Sequence, residues 1–592
     1  MVGLVLIVGF LYRGQNRSNN VSAEQTAAML GAPAFTLGSY DVYLGEFRQI
    51  FDNLRQQQLQ TRSQSGVPAE LTPADMLGFY AQALSELVDR AAVMNLAKQR
   101  HIDISDDDLA AFVLQMEKDN LNQQQQTFEM IKQFQISSAQ QQLAKIKDPN
   151  SQAAKAANAQ LEKIKAMSFE LAFKSQSNGL TPEQYLAFVS DNMERRMADP
   201  LFKRSAAAGA AHKAMIDQFA AKVDVSDEAL KRSYDKLQYI QIGIQGEGAK
   251  AKAEEVLEKI RGGLDFKAAA QEFSSLKDAK GDVNLDPITQ SRFDLLSTST
   301  YPPVLDLKPG EVSEVSASMG TAYIYKLLKV VQNVPKEFDS LKGSRLKDYR
   351  DRVAAAMMAK EDEKINTDAK KAIKWNDEGI KLLFDFSEFQ SKQTDKAVRI
   401  NTLNKFVADT QNASSELPDI PVLIRYLSLN QLDVEVPEGE AKKKIKSQLL
   451  ETYGAVLDVA PSVNLRFQYI DELIKAGKGD LALDMLLDNM GAAYPAEAQT
   501  EPIVTKVEAL LPKAANLATK GSPVVDNIQK EIKTWRTELK ENAANKAAEE
   551  ENRKENAKQE AELKKQEAAK KADSSKQPTP PKPIEKPKAP GG

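Results

Sequence analysis

The sequence predicts a multidomain α+β protein that is mostly α, and three observations carry that expectation. Long stretches repeat apolar residues at i, i+3 and i+4 behind explicit helix caps. One interval, 225–332, changes to alternating strands set between short capped helices, so a compact α/β unit interrupts the helices. After about 541 the chain is Lys-, Glu- and Ala-rich without an apolar face and then Pro-rich, which leaves it nothing to bury. The segments expected in order are an anchor or signal remnant (1–12), a linker (13–34), a helical module (35–224), the α/β unit (225–332), a charged helix (333–380), an all-α region (381–541) and a disordered tail (542–592).

The 592 residues, 42% hydrophobic and 27% charged, suffice for several cores, and the length suggests about three to five domains. A net charge of −4 without a dominant basic block gives nucleic acid no electrostatic purchase. Cysteine is absent, which excludes disulfides, thiol catalysis and cysteine-ligated metal and suits an oxidising compartment. The only histidines are His101 and His212.

Residues 1–12, MVGLVLIVGFLY, form an unbroken apolar run. A spanning helix needs about 20 such residues, and twelve match the apolar part of a signal peptide. A membrane anchor is the preferred expectation, with a cleaved signal or a buried strand as alternatives. Either of the first two places the rest of the chain outside the cytoplasm. Residues 13–34 are polar and Asn/Ser/Ala-rich, as a linker would be.

In the helical module, Thr72-Pro73-Ala74-Asp75 supplies an N-cap, a proline at the first helical position and an acid at N3. Met76, Tyr80, Ala83, Leu84, Leu87, Val88, Ala91 and Met94 then line one helical face. Thr181-Pro182-Glu183-Gln184 repeats the device as a capping box. Residues 115–178 are rich in Gln, Lys and Ala and read equally well as a solvated arm or as a cradle wall that touches other proteins.

In the α/β unit, Ser226 caps a helix with acids in its first turn. Residues 237–244 alternate, with Ile240, Ile242 and Ile244 on one face and Tyr239, Gln241 and Gly243 on the other. A helix over 249–261 stops at Gly262-Gly263, and Asp265 caps the next. Residues 301–307 form a turn-helix, and strands follow over 311–317 and 321–330. Farther on, 467–490 reads as a helical hairpin through Gly477–Gly479, of tetratricopeptide-like kind, although no 34-residue period is visible.

The order of elements in 225–332 resembles that of the parvulin-type peptidyl-prolyl isomerases. The likeness rests on Tyr239-Ile240-Gln241-Ile242, GGLDFKAAAQEFS at 262–274, Lys280-Gly281-Asp282-Val283, LDLKPGEVSEV at 305–315 and the glycine-led last strand. ELVDRAAVMNLAKQRHIDISDDDL at 86–109 and VSDEALKRSYDK at 225–236 resemble the flanking chaperone module of the SurA, PpiD and PrsA family of envelope foldases, with PpiD the most similar in layout. The resemblance implies a peptide groove on the sheet. Active parvulins carry two facing histidines there. Tyr239 takes the place of the first, and Ala322 takes that of the second, or Tyr323 if the register slips by one. The resemblance therefore implies peptide binding, with Tyr239, Phe293, Met319, Ala322 and Tyr323 as contacts and no catalytic residue.

Other motifs carry less. Gly246-x-Gly248-x-x-Ala251 lacks the acid that a dinucleotide site needs some 20 residues on. Asp282-x-Asn284-x-Asp286 has Pro287 and Phe293 where a calcium loop needs glycine and glutamate. No metal or cofactor is expected. The leading expectation is a membrane-anchored extracytoplasmic, periplasmic-side chaperone binding unfolded or newly secreted polypeptides without ATP. The alternatives are an active prolyl isomerase using tyrosines and a scaffold whose C-terminal helices bind one dedicated partner protein.

Overall fold

The structure, a computed structural model, describes residues 23–64, 70–146, 151–246, 248–277, 283, 285–296, 301–318, 320–391, 395–492 and 500–574. The expected anchor at 1–12 lies outside them. Chain contacts divide the protein into two units, 1–449 and 450–592.

The first unit opens with α1 (Ala23–Leu30), so the expected linker is partly helical, and with the hairpin β1 (Pro33–Leu37) and β2 (Tyr40–Tyr43), in register Phe35↔Val42 and Leu37↔Tyr40. Helix α2 (Leu44–Gln64) packs on α3 (Pro73–Gln99), where Phe51 stacks on Tyr80 at 3.9 Å between ring centres. The Thr72 side chain accepts from Asp75 N while the Asp75 carboxylate accepts from Thr72 N, the reciprocal cap expected from the sequence. Helix α4 (Asp106–Ala144) begins at an identical box between Ser105 and Asp108. Against it pack α5 (Gln152–Ala166), α6 (Phe169–Gln176), α7 (Pro182–Asp191) and α8 (Met193–Met197). Their common core holds Leu109, Val113, Phe128, Phe173, Tyr185 and Val189. Helix α9 (Pro200–Ala220), capped by Asp199, returns the chain to α3.

The α/β unit follows as α10 (Asp227–Arg232), β3 (Lys236–Gln245), α11 (Ala249–Arg261), α12 (Phe266–Phe273), β4 (Ile288–Ser291), α13 (Arg292–Leu295), a 3-10 turn (Pro303–Asp306), β5 (Ser316–Ser318) and β6 (Thr321–Val331). The four strands form one antiparallel sheet in the order β4-β3-β6-β5. Ile240, Ile242 and Ile244 bury against α11 and α12, as their alternation predicts. Two differences from the sequence reading stand out. The edge strand β4, ITQS, is too short and too exposed to show a pattern. The strand expected over 311–317 contracts to β5 and a single bridge from Val312 to Lys326.

Helix α14 (Phe338–Ala372) leaves the α/β unit and packs on α3 and α9. Strand β7 (Ile373–Trp375) then pairs with β1, Phe35 opposite Trp375, so a segment far down the chain completes the first sheet. Helices α15 (Glu378–Gln390), α16 (Lys396–Asn412) and α17 (Asp419–Glu435) continue the same unit, and Tyr80 on α3 donates to the Asp419 carboxylate at 3.3 Å. The domain break expected near 380 therefore falls inside a packed body. The observed boundary lies within α18 (Glu440–Val459).

The second unit is all α. Helices α19 (Val463–Lys475) and α20 (Gly479–Ala492) form the predicted hairpin, turning at Gly477, whose φ of +74° favours glycine. Helices α21 (Thr500–Ala515) and α22 (Pro523–Ser574) pack onto it around Ile470, Leu483, Leu486, Val507 and Ile528. The tail expected to be disordered from 542 is helical as far as Ser574, and 575–592 lie outside the described residues.

Candidate peptide-binding surfaces

The α/β sheet has two unlike faces because its side chains alternate. One is filled by α11 and α12. On the other, the pairing of β3 with β6 sets Gln241 opposite Tyr325 and Gly243 opposite Tyr323. An irregularity after Gln238 leaves one extra residue in β6, so Leu327 and Val330 both lie with Tyr239 and Leu237 on this second face. Leu295, Val304 and Leu305 cover its Leu237 end. Tyr323 and Tyr325 stay half-buried and form a shelf.

The shelf is a ladder of tyrosines. Tyr239 meets Tyr325 edge-on at 5.8 Å, and Tyr325 stacks with Tyr323 at 5.9 Å. The Tyr239 hydroxyl donates to Gln290 Oε1 on β4 at 3.0 Å. Burial raises the Tyr239 phenol above its usual value, and burial followed by the neighbouring Tyr239 and Tyr323 hydroxyls raises that of Tyr325. These groups therefore stay neutral donors near pH 7 rather than bases. A Cβ on Gly243 would lie 2.5 Å from Leu276 Cδ1, so a larger residue beside the shelf would displace the Leu276 side chain.

The five residues expected on this surface divide. Tyr239 forms its floor and Tyr323 its open edge. Ala322 does not belong: it pairs with Ile244, is fully buried and faces α11 and α12. Of the two alternatives, only Tyr323 shares a face with Tyr239, because a neighbour along a strand points to the opposite face. Phe293 does not belong either. Its ring is clamped between two α14 guanidinium groups, Arg345 at 3.3 Å and Arg352 at 3.9 Å from the ring centre, and serves to dock α13 on α14. Met319 lies outside the described residues. Tyr325 and Gln290 were missed. Tyr325 follows Tyr323 by two, so strand alternation alone would have found it.

Neither histidine reaches the shelf. His101 occupies the turn after α3, and His212 on α9 contacts Asp362 of α14 at 3.1 Å. Among the described residues no three His, Cys, Asp or Glu side chains converge to hold a metal. Among them, too, no helix is long and apolar enough to cross a membrane.

A second surface lies on the helical arm formed by α4–α7. Met130 and Phe134, one turn apart on α4, are 70% and 74% exposed, and Leu171 on α6 is 66% exposed. Phe188 on α7 and Met116 on α4 are also exposed. These are costly residues to leave in water. The arm beneath them is firm. Lys132 Nζ donates to the Met167 carbonyl at 2.7 Å, and Glu117 accepts from the Tyr185 hydroxyl at 3.0 Å and from Arg196 at 3.2 Å.

Residues 1–145 match a family model described as a SurA-like N-terminal domain, which makes the first quarter of the chain similar to that domain. No curated protein matches the chain. Among solved structures, the peptidylprolyl isomerase PrsA of Bacillus cereus is 19% identical over 44% of this chain and 88% of its own, with a TM-score of 0.18. The foldase protein PrsA of Streptococcus pneumoniae is 20% identical over 42% and 84%, with a TM-score of 0.16. PrsA of Bacillus subtilis is 19% identical over 40% and 82%, with a TM-score of 0.13.

Proposed function

We propose that this protein is an extracytoplasmic folding chaperone, of the layout PpiD represents, that holds unfolded or newly translocated polypeptides and does not isomerise prolines. The observation that carries the reading is the set of exposed Met130, Phe134 and Leu171 side chains on an arm whose own core is complete. Large apolar groups left in water on a rigid support suit weak, multi-site capture of apolar segments. The match of residues 1–145 to a SurA-like N-terminal domain points the same way. The tyrosine shelf adds a second contact for extended peptide. It has no histidine, and the hydroxyl of its floor residue Tyr239 is engaged by Gln290. Membrane attachment and an envelope location rest on the apolar run 1–12 and the absence of cysteine. A groove in the second unit, lined by Pro502, Thr505, Lys506, Leu539 and Asn542, supports the second reading, in which the C-terminal helices bind a dedicated partner protein.

The test is aggregation of one unfolded client with full-length protein, run beside a proline-limited refolding assay. The expected result is suppression of aggregation near stoichiometric amounts and no acceleration of refolding at catalytic amounts. A large acceleration lost in Tyr239→Ala would make the protein an isomerase instead.

A further inference from the structure

Helix α4 carries two stripes. Glu117, Leu121, Gln124 and Phe128 are buried against the rest of the arm. On a separate face, Met116, Asn120, Gln123, Thr127, Met130 and Phe134 step alternately by four and three residues. All six are exposed except Asn120, which is half-buried. The charged residues of this interval, Glu117, Lys118, Asp119, Glu129 and Lys132, all lie off that outer stripe. The solvent side of a helix is ordinarily where charges gather. Here it carries amides, a hydroxyl, two thioethers and a ring.

The step length decides what fits. Steps of four and three average 3.5 residues, or about 5.2 Å along the helix. A second helix presents its own seam at the same interval and stays in register along the whole stripe. An extended strand presents same-face side chains about 6.7 Å apart. It would slip by about 1.5 Å at each step and fall between the side chains after two. The missing charges narrow the partner further, because a charge pressed onto the stripe would be desolvated without a counter-ion. Asn120, Gln123 and Thr127 weaken the seam relative to an all-apolar one, so a bound helix can leave again.

We propose that the outer stripe of α4 is a docking seam for amphipathic helices of client polypeptides, with apolar residues at heptad spacing and no charge on the contact face. This rests on the chaperone reading above and names the class of segment that the arm takes.

The test uses full-length protein and a labelled, uncharged peptide of about three heptads with leucine at a and d, beside an isomer of the same composition whose leucines alternate with polar residues. Anisotropy reads binding and circular dichroism reads peptide helicity. The expected result is that the heptad peptide gains helix and binds about ten-fold or more tighter than its isomer. Gln123→Glu with Gln141→Glu puts two charges on the line of the stripe, Gln141 continuing the same spacing beyond Phe134, and should weaken binding about ten-fold or more. Gln125→Glu with Gln142→Glu adds the same charge at exposed positions off the line and should change it by less than about two-fold. Equal losses in the two pairs, or equal binding of the two peptides, would overturn the proposal. So would sedimentation showing a dimer of the parent that only the Gln123→Glu, Gln141→Glu pair dissolves, since the occupant would then be a second copy of this chain. Aggregation of an unfolded client is followed with the same samples. Suppression without peptide binding overturns the helical seam and leaves the chaperone reading standing, whereas no suppression by the parent overturns both.

Discussion

Replacing Arg196 with methionine should destabilise the helical arm by about 3–5 kcal/mol at pH 7. In the native structure Arg196 and Glu117 lie 3.2 Å apart with side chains only 12% and 11% exposed, so solvent screens the pair little. At an effective dielectric of about 20, such a separation is worth about 5 kcal/mol of attraction, most of it spent against desolvation. Methionine fills the space but leaves the Glu117 carboxylate buried with only the Tyr185 hydroxyl as donor. Denaturant unfolding at pH 7 measures this, and amide exchange in α4 and α7 localises it. The double variant Arg196→Met with Glu117→Met should recover most of the stability, since an apolar pair of similar volume strands no charge. A single-variant loss below about 1 kcal/mol would refute the reasoning.

Further outcomes follow from the same contacts. Met130→Ser with Phe134→Ser should leave the melting temperature within about 2 °C of the parent, because both side chains are exposed, yet reduce aggregation suppression several-fold. Thr72→Ala removes one half of the cap on α3 and should cost about 1 kcal/mol in denaturant unfolding. Stability should fall as pH rises from about 10 to about 12. Burial and then Glu117 push the Tyr185 phenol up to about 12, and burial and then Glu46 do the same for Tyr40, so the native state retains protons that the unfolded chain releases near 10. In Tyr185→Phe that alkaline slope should be shallower, as melts taken across this range will report. Arg345→Ala with Arg352→Ala removes both cations from the Phe293 ring and should loosen the sheet unit from α14 by about 1–4 kcal/mol, read as faster amide exchange in β4 and α13.

The sequence alone determined the local elements of this protein. The caps at Thr72, Thr181 and Asp265, the isoleucine alternation of β3 and the hairpin at Gly477 are all present as read. Each is an interaction between residues a few positions apart, so its signal survives in the chain. Tertiary structure decided what depended on distant partners. The β6 register sends Tyr323 to the shelf and Ala322 to the core, and the extra residue at Leu327–Val330 changes the alternation partway along the strand. Two guanidinium groups from α14 turn Phe293 from an expected peptide contact into a docking residue. Strand β7 closes the first sheet on β1 and moves the domain boundary from the expected 380 to 449. A strand's face and a body's limits are set by which surfaces meet, and no stretch of neighbouring residues encodes that meeting.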